Sequence, residues 1–70
     1  MDEITKELFE MVKIGVENER SAQEFYKVLI EKSTSDLQKE IFTHFLKEEE
    51  RHEQKLMEAY GEMKEKLGLS

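Results

Sequence analysis

Apolar or small residues fall at Ile4, Leu8, Met11, Gly15, Ala22, Tyr26 and Leu29, in alternating steps of four and three broken by a single gap. That spacing predicts a first helix from about residue 2 to residue 32, with Asp2 as its N-cap. The chain's one cluster of turn-forming residues follows, Ser33-Thr34-Ser35-Asp36, and Ser35 with Gln38 three positions on reads as a capping box. A second helix over about residues 36–67 carries its own stripe of Leu37, Ile41 and Phe45, then a gap, then Leu56, Tyr60, Met63 and Leu67. Phe42, Leu46 and Ala59 widen that stripe. Gly61 is expected to loosen the last turns, and Gly68 to end the helix. Two such helices joined by a turn at 33–35 make residues 1–70 one antiparallel hairpin, roughly 45 Å long at the α-helical rise. The stripes are too wide for two helices to bury from each other alone. A second copy would cover them, and the economical closed form is a two-fold dimer, an all-α four-helix bundle.

Composition supports helices and adds a constraint. Half of the 70 residues are Ala, Glu, Lys, Leu or Arg, there is no Pro, and 40% are charged. A chain this short seldom buries enough apolar surface to be stable alone, and without Cys it has no disulfide to help. Metal binding and oligomerisation are the remaining sources of stability. The net charge of −6 argues against nucleic acid and anionic membranes as partners. No apolar run is long enough to cross a bilayer, and Met1-Asp2-Glu3 lacks the basic and apolar regions of a signal peptide. The expected location is the cytosol, either free or inside a protein compartment.

The two gaps hold the chemistry. Four steps beyond Gly15 stands Glu19, a carboxylate where the seam asks for an apolar side chain. In the second helix, four beyond Phe45 is Glu49, and three further is His52. Three ionisable groups thus point toward the predicted core, where each must be paired, protonated or bound to metal. Glu49 and His52 lie one turn apart on one face and can reach a common centre. A two-fold dimer would bring together four carboxylates and two imidazoles, the ligand set of di-iron and di-manganese carboxylate bundles. Four carboxylates balance two divalent ions. Oxygen and nitrogen donors without thiolate favour iron or manganese, with zinc as a substitute.

The same residues resemble a known group of proteins. Glu19-Arg20-Ser21-Ala22-Gln23-Glu24-Phe25-Tyr26, followed thirty residues after Glu19 by Glu49-Glu50-Arg51-His52, is similar to one half of the ferritin-like di-iron carboxylate superfamily. Rubrerythrins share the Glu, the Ala three residues on, the Tyr at plus seven and the Glu-x-x-His. The spacing is also similar to that of encapsulated ferritins, which build their site from two-helix protomers across a dimer interface. The resemblance implies that Glu19 and His52 are terminal metal ligands and that Glu49 bridges two metals. This chain departs from both relatives: it has no rubredoxin-like Cys motif, Phe25 stands where encapsulated ferritins tend to have Trp, and Leu67-Gly68-Leu69-Ser70 is short for a shell-targeting tail.

The remaining candidates have plainer readings. Glu48 and Glu50 fall off the seam and read as surface charges, and His44 beside the stripe reads as a surface or interface residue rather than a ligand. Tyr26, two turns from Glu19, is either a catalytic neighbour whose hydroxyl serves a ligand carboxylate or supplies an electron, or a core tyrosine. Tyr60 reads as packing, and Met11, Met57 and Met63 as core or interface filler. The leading functional expectation is a dimer-bridged di-iron centre that oxidises Fe(II) with dioxygen or peroxide, as a ferroxidase does. A metal-stabilised structural or iron-binding module without turnover, and a metal-free helical interaction module, remain as alternatives.

Overall fold

The computed structural model describes residues 3–68, so the Asp2 cap lies outside the described residues. Two helices, α1 (Glu3–Lys32) and α2 (Asp36–Lys66), form a hairpin 51 Å long and 16 Å wide. These bounds match the sequence periodicity to within a residue. The helices run antiparallel: Phe9 stacks on Tyr60 at 4.7 Å near the open end, and Tyr26 meets Phe45 at 5.6 Å nearer the turn. Between these contacts Gly15 faces Leu56. A β-carbon at Gly15 would stand 3.3 Å from a Leu56 methyl, so glycine lets the helices approach closely one turn before Glu19.

The turn is held by side chains. Ser33 Oγ donates to the Leu29 carbonyl at 2.7 Å and closes α1. Ser35, in extended conformation, caps α2 by accepting from the Gln38 N–H. The return half of the capping box reaches one residue further out than predicted: Gln38 Oε1 accepts from the N–H and hydroxyl of Thr34 rather than from Ser35. At the other end, Gly68 adopts φ 69° and its N–H returns to the Glu65 carbonyl, the left-handed termination expected of glycine. Gly61 does not break α2, which continues to Lys66.

What fills the hairpin differs from the stripes. Among the described residues only Phe9 and Val16 are buried, and neither belongs to the predicted seam. Ile4, Met11 and Leu37 are 79%, 67% and 65% exposed, and Leu8, Ile41 and Phe45 are exposed as well. The physical reason is that each helix carries two adjoining apolar strips about a quarter-turn apart. One strip, which includes Phe9, Val16, Phe42, Leu46, Leu56 and Tyr60, is wholly or partly covered by the other helix. Helical spacing places the other strip, formed by Ile4, Leu8, Met11, Leu37, Ile41 and Phe45, on one side of the hairpin. No helix is long and apolar enough to cross a membrane.

Candidate metal centre

Glu19, Glu49 and His52 meet midway along the hairpin. One ligand atom from each lies within 4.8 Å of the others, and they form the only such group of three or more among the described residues. The antiparallel pairing sets Glu19 of α1 across from the Glu49–His52 turn of α2, at the level where the predicted gaps coincide. His52 Nδ1 stands 3.7 Å from Glu19 Oε2 and 3.6 Å from Glu49 Oε2, too long for a hydrogen bond. The two carboxylates are largely covered, whereas the imidazole is half exposed on the side of the open apolar strip.

The donor set fits a cation. Glu19 Oε2 is buried with no hydrogen-bond partner, the one such side-chain atom among the described residues. A buried carboxylate oxygen left without a partner is costly unless a proton or a metal satisfies it. The Glu19 pKa is raised accordingly, first by interaction with the neighbouring Glu49 carboxyl group, then by burial and by the Glu49 charge, with His52 pulling the other way. Two carboxylates and an imidazole without thiolate are the donors that iron, manganese or zinc accepts.

This raised pKa has a sign that can be measured. Between the ordinary glutamate pKa and the raised one the folded state keeps the Glu19 proton more readily than the unfolded chain, so stability contributed by this group is complete below the ordinary value. It is lost as pH rises through the raised value. Metal competes for the same oxygens and reverses the trend, being displaced as pH falls through the histidine range and below. Relative to Glu19→Gln, which leaves the opposite contribution of Glu53 in place, the wild-type melting temperature should fall with rising pH in chelator and rise with pH when metal is present. A wild-type melting temperature with the same pH slope in chelator and in metal would contradict this account.

The other candidates are placed as follows. Tyr26 packs its ring between Phe25 and Phe45, at 5.7 and 5.6 Å, and no hydrogen bond joins its hydroxyl to Glu19 or Glu49. His44 is exposed and pairs with Glu48 at 2.8 Å, and the two line a shallow surface hollow together with His52, outside the ligand group itself. Tyr60 stacks on Phe9, the packing role read for it. One group went unnoticed in the sequence: Glu53 accepts hydrogen bonds from Gln23 and Arg20 across the two helices, which lower its pKa, Gln23 more than Arg20. Its only signal was position, since Gln23 follows Glu19 by one turn and Glu53 follows Glu49 by one turn.

Neither a curated protein nor a solved structure matches the chain. The rubrerythrin family model matches residues 5–70, so the spacing of Glu19, Glu49 and His52, the two-helix fold and the family model agree: the chain belongs to the rubrerythrin family, a ferritin-like di-iron carboxylate family.

Proposed function

We propose that two copies of this chain pair through the open apolar strip to complete a di-iron site, and that the dimer oxidises Fe(II) as a ferroxidase. The observation that carries this reading is the buried, unpartnered Glu19 Oε2 facing Glu49 and His52. One hairpin supplies two carboxylates and one imidazole, which is half of a di-iron ligand set. The half-site adjoins the strip of Leu8, Met11, Ile41 and Phe45, so the face that would bury apolar surface in a dimer is also the face toward which the ligands open.

In this arrangement Glu19 and His52 would hold one metal from each protomer, and Glu49 would be shared between the two. Iron bound there would supply electrons to dioxygen or peroxide as Fe(II) becomes Fe(III). The chain's own contribution is to hold donors in place before metal arrives. Coverage of both carboxylates raises the cost of leaving them unpaired and so favours a cation. Phe45 and Tyr26 build an apolar wall on the turn side, and Leu56 packed on Gly15 builds one on the other.

Aerobic addition of Fe(II) to the purified dimer, followed by the rise of ferric absorption, tests the reading. Wild type should oxidise Fe(II) well above the buffer rate over many equivalents, and Glu19→Ala should fall to the buffer rate. Stoichiometric metal uptake without turnover would reduce the protein to an iron-binding module. No uptake, with a melting temperature unmoved by iron, would leave a helical interaction module.

A further inference from the structure

Behind the ligand cluster, on the side away from the open strip, Glu53 of α2 is bound at both carboxylate oxygens by α1. Gln23 Nε2 donates to Oε1 at 2.6 Å and Arg20 Nε donates to Oε2 at 3.1 Å. Gln23 stands one turn past Glu19, and Glu53 one turn past Glu49. Because the helices are antiparallel, those two steps run in opposite directions, so the Gln23–Glu53 bond crosses the level of the ligands as a diagonal strut. Arg20 adjoins Glu19 and Glu53 adjoins His52, which ties the strut to the ligands on both helices.

The rest of the helix pairing at this level is non-directional. Leu56 on Gly15 and Tyr26 on Phe45 are apolar contacts that a small rotation or slide can preserve. Ligand geometry cannot survive such a change, since a slip of one residue turns a helical side chain by about 100° and moves it about 1.5 Å along the axis. Hydrogen bonds restrict both motions because they fail steeply with distance and angle. Arg20 is largely exposed, and an ion pair so placed adds little to fold stability, so stability is a poor account of this arrangement. We infer that Gln23, Arg20 and Glu53 are positioning residues, a clamp that fixes α1 against α2 in the one register where Glu19 meets Glu49 and His52. The same bonds keep Glu53, the next carboxylate along α2, engaged and out of the ligand set. The inference rests on the metal reading above.

The test uses the full-length chain and Co(II) as probe, with three measurements: affinity by competition with a chelator, the visible Co(II) absorption, and the melting temperature in chelator. Glu53→Leu removes the acceptor while keeping side-chain bulk, and Gln23→Leu removes the main donor. Each should bind Co(II) about 10- to 100-fold more weakly, the range for groups that orient metal ligands, with altered absorption and a chelator melting temperature close to wild type. Glu53→Gln keeps an acceptor for Gln23 and should recover most of the affinity. Lys27→Met, which breaks the exposed Lys27–Glu24 pair on α1, should change nothing. If Glu53→Leu does not fold, Gln23→Leu decides. Wild-type affinity and spectrum in the Leu variants would overturn the clamp alone, as would affinity losses that merely follow lost stability. A wild type that takes up no Co(II) would overturn the metal reading and the clamp together.

Discussion

A Glu49→Ala variant should purify without stoichiometric iron, and added Fe(II) should not raise its melting temperature. In the proposed dimer Glu49 would serve both metals, so a single substitution would remove two of the four carboxylates. Loss of groups that only orient ligands weakens metal by about 10- to 100-fold, and loss of a shared ligand should exceed 100-fold. The metal-free variant gives a second, opposite signature. Glu49 is the main cause of the raised Glu19 pKa, so its removal should return Glu19 toward the ordinary glutamate value. The downward slope that Glu19 gives to stability with pH in chelator should then flatten. Metal content by elemental analysis, with melting curves in chelator from about pH 4 to pH 8, checks both. Retention of one iron per chain by Glu49→Ala would refute the ligand assignment.

A Leu8→Asp variant should sediment as a single chain, where the proposal expects the wild type to sediment as a dimer. Leu8 is exposed in the hairpin and lies on the strip with Ile4 and Met11. Burying a leucine contributes about 1.5–3 kcal/mol, and two-fold symmetry counts every substitution twice, so about 3–6 kcal/mol is lost per dimer before any cost of burying aspartate. At about 1.4 kcal/mol per tenfold, the dimer should dissociate at least 100-fold more readily. Metal affinity should fall with it, because each hairpin would hold half of the proposed ligand set. Helicity should fall as well, since among the described residues only Phe9 and Val16 are buried within one hairpin. Sedimentation equilibrium together with far-ultraviolet dichroism over a concentration series tests this. A wild type that stays monomeric at high micromolar concentration would remove the dimer from the proposal.

The elements were legible because local signals agreed. Unbroken apolar spacing, the Ser33–Asp36 cluster, the Ser35 cap and Gly68 each act within a few residues, so helix bounds followed from the chain alone. The candidate site was legible for a related reason. A charge on an apolar seam is a local violation, and three of them at matching levels of two antiparallel helices point to one place. Phe9 and Val16 were missed because one stripe was read in α1 where that helix carries two, whereas in α2 the second strip was read as a widening by Phe42, Leu46 and Ala59. Periodicity reports that a face is apolar, not which neighbour covers it. Glu53 was missed because a Glu among fifteen carries no mark of its own; its role depends on Gln23 and Arg20, thirty and thirty-three residues away.

By itself the sequence determined two helices, the turn between them, and the three residues that break the apolar seams. These are short-range consequences of propensity, capping and burial cost, which act at each residue before any tertiary contact forms. Only the tertiary structure decided which apolar strip the partner helix covers, that Ile4, Leu8, Met11, Leu37, Ile41 and Phe45 remain open, and that Glu19 Oε2 is buried without a partner beside Glu49 and His52. It also decided that Glu53 is bound from across the hairpin. Those outcomes turn on the rotation and slide of one helix against the other, set by close approach at Gly15 and by cross-helix contacts that no segment of the chain contains alone.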